Sequence, residues 1–374
     1  MINTKEKTEL SPSLEIKHKG LSNTWIMLII TIGLFVLLYI ISVILFKDSN
    51  FAKFSVFFNF FNTKAYLLAI SLGLTVVMIT GSIDISVGGV TGLVSMVIAV
   101  MLTENGINAI WTIPAALGIG LAFGIVQGFL VAYMEIQPFI VTLSGMFFAR
   151  GMISMLRIVS IPISDKLFMK WSDAKLYIPF LFNESKRGVR DVAYLTPAAV
   201  IALLVLIILI VLLKYTRFGR SLYAVGGNRQ SASLMGIDAK KVTFMAHVLC
   251  GLLAGIGGFC FTLFAPSGNP ANGLRYEMDA ISSSVIGGTM LSGGVGLPIG
   301  TFFGVMINGL VARVVPMLGL IDAAWPSIIT SAFLFAFIVL QSILSIASKK
   351  GDVVQILPYW LRSWLQIMFK SNTD

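Results

Sequence analysis

The sequence predicts an all-α polytopic membrane protein with about ten transmembrane helices, some of them broken or re-entrant. Three observations carry that prediction. Of 374 residues, 57% are apolar and only 12% charged, where a soluble domain runs at about half apolar and about a quarter charged. The apolar residues fall in long uncharged runs. The charged residues collect between those runs, so the net charge of +10 marks topology and is no nucleic-acid footprint. A water-soluble enzyme, a disordered chain and a nucleic-acid binder are excluded together.

The first span is Trp25 to Phe46, 22 residues without a charge, and a hydrocarbon core needs about 20. A basic polar leader over 1–24 precedes it. A secretory signal would carry a shorter apolar core and a small-residue cleavage site, so the first span reads as an uncleaved helix. Further apolar stretches run over 65–81, 87–102, 109–134, 138–161, 192–213, 242–265, 280–296, 298–320 and 325–347. Those at 65–81 and 87–102 are short and parted by Gly81-Ser-Ile-Asp-Ile-Ser-Val-Gly-Gly89. They are two crossings with a tight turn or two half-helices that enter and return. The stretch 280–320 has the same character, broken at Ser292-Gly-Gly-Val-Gly-Leu-Pro298. The two broken regions, Met78 to Gly92 and Ile286 to Gly300, resemble each other weakly, and duplicated broken helices are common in transporters.

Lys and Arg placement orients the chain. With both termini in the cytoplasm, that side receives fourteen basic residues: four in the leader, six over 214–241 and four in the tail at 348–374. The outer side receives nine, including Lys64 and six in the loop at 162–191, which is long enough to fold into a small lip.

The chemistry missing from the chain is equally informative. No G-x-x-x-x-G-K-[ST] phosphate loop occurs. The histidines are His18 and His247 alone, too few for a histidine-centred metal site or triad. Cys250 and Cys260 share a predicted helix, about 15 Å apart, and are expected as buried free thiols. A membrane enzyme loses its nucleophile, metal and acid–base set, and transport gains by elimination.

The segment 214–241 is the long cytoplasmic stretch between spans. Asn228 is a candidate N-cap for a short helix through Ala232 to Met235, and Gly236 is placed to stop it in a left-handed conformation. Leu234, Met235 and Ile237 add an apolar ridge. Such a helix is either a docking element for a partner's groove or a solvated connector packed under its neighbours. The residues alone leave the two readings level.

Four collinear motifs resemble ribose-type ABC sugar importer permeases. They are Gly81 to Gly89, Gln137-Pro-Phe-Ile-Val-Thr-Leu-Ser-Gly-Met-Phe-Phe-Ala-Arg-Gly151, Thr216 to Ile237, and Glu277 to Gly296. The resemblance covers about residues 25–347, the expected permease domain. Met146 to Arg150, Ile161-Pro-Ile163 and Ser233 to Gly236 are most similar to galactofuranose-type permeases. Ser82 stands where that family usually has Gly, and the leader and tail are longer than typical.

The resemblance implies a subunit of the bacterial inner membrane that pairs with a second permease, identical or paralogous. A cytoplasmic ABC ATPase would dock on Gly226, Gly227, Asn228, Ala232, Leu234, Met235, Gly236 and Ile237. An external sugar-binding protein would deliver a monosaccharide. This chain would then hold no cofactor, with ATP and Mg on the partner ATPase.

A neutral, hydroxyl-rich sugar needs hydrogen-bonding groups without strong fixed charge along its path. Ser82, Asp84 and Ser86 sit at the first break, and unwound backbone at membrane depth belongs where protein or a water-filled cavity covers it. Intramembrane carboxylates are functional candidates by default, although the favoured role for Asp84 is structural, capping the helix that begins near Ser86. Arg150 needs a partner, and Asp84 is one candidate; Arg157 snorkels. Phe139, Phe147 and Phe148 are candidates to stack on a sugar face, with lipid-facing packing the commoner use. Thr142, Ser144, Thr289, Ser292 and Asn308 complete the set, although such hydroxyls mostly bond their own helix. The rival function is an ion-coupled secondary transporter, disfavoured by the few acids in the spans.

Overall fold

The computed structural model describes residues 23–47, 51, 53–184, 190–320, 322 and 324–350. The expected leader and most of the expected tail lie outside the described residues. Among these residues the chain forms α1 (Asn23–Leu45), α2 (Phe54–Ile79), α3 (Val87–Ala99), which ends in a π turn over Val100–Glu104, α4 (Thr112–Ala132) and α5 (Pro138–Leu156). Next come β1 (Ile161–Pro162), α6 (Lys166–Asp173), β2 (Leu176–Glu184), β3 (Arg190–Leu195), α7 (Pro197–Tyr215), α8 (Arg217–Gly227), α9 (Arg229–Leu234) and α10 (Ala239–Phe264). The chain finishes with β4 (Ser267–Gly268), α11 (Tyr276–Ile286), α12 (Pro298–Met317) and α13 (Ala324–Lys350).

Nine helices among the described residues are long and apolar enough to cross a membrane, so the expected ten reduces to nine. The stretch 280–296 is the one that fails. Only Tyr276–Ile286 is helical there, because Gly288, Gly293 and Gly294 adopt φ of 90°, 87° and 75°, which no right-handed helix accommodates. The second correction lengthens a span. α2 starts at Phe54, and Lys64 lies within it, not in an outer loop. Phe60 and Phe61 are buried just before it, so the apolar face simply continues past the charge.

α2 is the central helix, buried almost continuously from Phe60 to Ile79. α10 packs against α2, α3 and α4. Its contact with α4 is built from small residues at four-residue spacing: Ala116, Gly120, Gly124 and Gly128 face His247, Gly251 and Gly255. The two backbones approach without intervening side chains, as small residues allow between membrane helices. α1 packs on α12, with Phe35 and Phe303 ring centroids 5.8 Å apart.

The loop after α5 does fold. Asp165 caps α6 by accepting from the Phe168 amide at 2.8 Å, and Phe168 is fully buried against α10 elements such as Phe259. β2 and β3 pair antiparallel. Asn62 of α2 anchors the far strand, donating to the Tyr194 carbonyl at 2.9 Å and accepting from the Thr196 amide at 3.0 Å. β1 pairs with β4 across the chain, Ile161 opposite Gly268.

Candidate functional site

The short helix expected near Asn228 is present as α9. The Asn228 side chain accepts from the Ser231 amide at 2.9 Å, and Gly236 stops the turn at φ 81°. Leu234 is 84% and Met235 70% exposed, whereas Ala232 is fully buried and Ile237 turns back onto the core. The apolar ridge is therefore two residues wide. A helix that the sequence did not announce, α8, precedes it, capped by Thr216 accepting from Gly219 at 3.1 Å. It ends on Gly226, wedged against Ile79 and Gly294, and Gly227, which faces open space.

Beside α9 the loop from α4 to α5 carries Glu135, paired with Lys240 at 2.8 Å; the ammonium holds the Glu135 carboxyl below its usual range. Ser82, Glu135, Gln137 and Arg229 line a cavity of ≈ 260 Å³ at this end of the bundle.

The first break is a stretch without regular structure, Ser82–Ile85, after the Gly81 turn at φ 82°. It leads back into the bundle, where Asp84 lies beside His247 and Cys250. Cys250 is eleven residues into α10, about 16 Å along the helix. Asp84 is 1% exposed and accepts from the Ser86 amide at 2.9 Å and the Ser86 hydroxyl at 2.6 Å. The Ser86 hydroxyl also reaches Gln127 of α4 at 3.1 Å. The carboxylate thus shapes the entry to α3, and Ser82, Asp84 and Ser86 are all buried.

Arg150 does not pair with Asp84. Its guanidinium donates to the carbonyls of Asn272 at 2.7 Å and Pro270 at 3.4 Å, in the segment leading into α11. The separation has a simple origin. Ile83 lies beside the first turn of α5, where the Thr142 hydroxyl donates to its carbonyl at 3.3 Å. Arg150 is two turns further, about 12 Å along. The acid facing Arg150 is Glu277, whose carboxylate packs against Gly88 of α3.

A second polar cluster joins α2, α11 and α12. Asp279 faces Lys64 and hydrogen-bonds the side chain of Asn308, itself 4% exposed. Sequence reasoning missed Lys64, Glu277 and Asp279 because it placed Lys64 outside and read the start of α11 as loop. Lys64 standing alone between Phe54–Phe61 and Ala65–Ile79 was the available signal. Gln127, isolated in an otherwise apolar span, was another.

The remaining path candidates divide among different surroundings. Phe139, Phe147 and Phe148 of α5 are each more than half exposed, and Ser144 beside them bonds its own helix at Ile140. Phe123, Gln127, Ser144 and Phe148 line a cavity of ≈ 400 Å³ between α4 and α5. Thr289 is buried and Ser292 exposed in the second break. Arg157 ends α5 in a 2.6 Å ion pair with Glu104. The candidates form a wall along α5, two breaks and a half-buried ion cluster, not one pocket.

Residues 56–341 match the family model described as branched-chain amino acid transport system / permease component. Among curated proteins the chain is 38% identical to an inner membrane ABC transporter permease of Escherichia coli K12, YjfF, over 84% of this chain and 91% of that one. It is 33% identical to the E. coli K12 ribose import permease RbsC, over 77% and 86%, and 31% identical to the Bifidobacterium longum fructose import permease FruG, over 76% and 81%. No solved structure matches the chain. An ion-coupled secondary transporter is not favoured by this company. On its helical architecture, its collinear motifs and the extent of these matches, the chain belongs to the family of ribose-type ABC sugar import permeases.

Proposed function

We propose that this chain is the membrane-spanning half of an importer for a monosaccharide, seated in the bacterial inner membrane with both termini in the cytoplasm. ATP and Mg bind a separate ATPase that docks on α9, a second permease completes the path, and an external binding protein delivers the sugar. The observation that carries this reading is the pair Leu234 and Met235, large apolar side chains left exposed on a short capped helix. Exposed apolar ridges of this kind suit a groove in a partner.

The sugar path is supported by the exposed face of α5 and the cavity beside it. Gln127 and Ser144 stand in its wall, and Phe123 and Phe148 offer apolar ring faces. The relatives carry ribose and fructose in their names, and galactofuranose joins the candidate sugars through the motif at Met146 to Arg150. The test is co-purification. Leu234→Asp is expected to insert normally and lose the ATPase; retention of the ATPase together with normal uptake of ribose, fructose or galactose sinks the docking assignment.

A further inference from the structure

The last turn of α8 sits where the two breaks meet. The Gly294 amide of the second break donates to the Ile79 carbonyl at the end of α2, at 2.8 Å. Gly226 is pressed into this bond so closely that a Cβ on it would overlap the Ile79 carbonyl oxygen and lie 2.6 Å from the Gly294 nitrogen. Gly293 closes the third side, where a Cβ would meet the Gly81 nitrogen at 2.8 Å and the Gly226 oxygen at 2.9 Å. One turn back along α8, the Tyr223 hydroxyl donates to the Gly296 carbonyl at 2.7 Å. Asn228, the cap of α9, follows one residue after Gly227.

We propose that Tyr223 and Gly226 are positioning residues for transport: they tie α9 to both broken segments at once, so that displacement of α9 moves the two breaks together. This rests on the reading of α9 as the ATPase dock and assigns the route by which its motion leaves that helix. Backbone packed against backbone transmits a push without the slack of rotatable side chains. Only glycine permits that approach at position 226, and the positive φ of Gly81, Gly293 and Gly294 lets both breaks turn within one contact with α8. Burial pushes the Tyr223 hydroxyl up to about 12, so it remains a donor throughout the physiological range.

The test follows ATP-dependent motion of the second break and needs no knowledge of the sugar. Ser292 is exposed in that break and both native cysteines are buried, so Ser292→Cys gives a single maleimide-reactive site. In the importer assembled with its ATPase, ATP turnover is expected to change the labelling rate of that site. Tyr223→Phe removes one hydrogen bond, and the ATP-dependent change is expected to shrink about fivefold while the ATPase stays bound and active. Gly226→Ala is expected to abolish the change, with Gly118→Ala, whose Cβ meets nothing within 4 Å, as the neutral control. If Gly226→Ala fails to fold, Tyr223→Phe decides. An unaltered response in Tyr223→Phe overturns the link, and so does a Ser292→Cys site that ignores ATP in the otherwise native protein. Loss of the docking assignment itself reads out differently, as an ATPase that stays bound to Leu234→Asp.

Discussion

Gly120 of α4 and Gly251 of α10 face each other so closely that a Cβ on either would overlap the other's carbonyl oxygen. Their neighbours are equally constrained, Gly124 against His247 and Gly255 against Ala116. Gly120→Ala and Gly251→Ala must therefore part the helices rather than shift a side chain. Overpacking of this kind costs about 3 kcal/mol. Thermal unfolding in detergent is expected to show a clear loss for both. Gly118→Ala, on the same helix but in open space, is expected to match or slightly exceed the parent, because alanine loses less backbone entropy on folding.

The ion cluster predicts a pattern of partial rescue. Lys64 and Asp279 are half-buried, so removing one costs less than the about 3–5 kcal/mol of a fully buried pair. Lys64→Met is thus expected to destabilise with Asp279 intact. Lys64→Met combined with Asp279→Asn is expected to recover much of the loss, since Asn308 can still hydrogen-bond an amide. Equal stability of the single and double variants, measured by the same unfolding assay, would show that Asp279 does not depend on Lys64.

Arg150 and Asp84 predict the opposite. Arg150 holds the carbonyls of Pro270 and Asn272, and Asp84 holds Ser86. Exchanging the charges, Asp84→Arg with Arg150→Asp, is expected to yield a protein no better folded or expressed than either single variant. Restoration of stability in the exchange would mean that the two side chains meet.

The cysteines give the simplest check on the packing. Cys250 and Cys260 are both fully buried on α10. Neither is expected to react with maleimide in the folded protein, and both are expected to react after denaturation. Rapid labelling of either in the native state would contradict the packing of α10 against α2, α3 and α4.

The spans, the cap at Asn228 and the stop at Gly236 were legible because each is written locally. Apolar runs, an Asn before a short helix and a Gly after it carry their meaning within a few residues. What the sequence concealed depends on contacts far along the chain. Lys64 looks like a loop residue until Asp279 and Asn308, more than 200 residues later, cover it. Arg150 invites the nearest acid by motif, yet backbone carbonyls satisfy it. Gly226 reads only as part of the docking segment until Ile79 and Gly294 are set against it. Helix α8 escaped notice because its apolar residues, Phe218, Leu222 and Val225, are too few to signal a span.

The packing of α1 also sets an order of events during synthesis. Thr31 donates to the Ile286 carbonyl, and Met27 lies against Gly288, so α1 finds most of its neighbours in helices made long after it. In the interval α1 has lipid and the start of α2 around it, where Phe35 and Tyr39 meet Phe57. Its sequence is suited to that wait, since Ile29, Val36, Leu37, Ile40 and Ile44 remain exposed even in the finished protein. Insertion of α1 is thereby independent of folding, and closure of the bundle falls to the C-terminal third of the chain. A truncation before α11 should leave α1 inserted in the membrane and held laterally only through the aromatic contacts at Phe51 and Phe57.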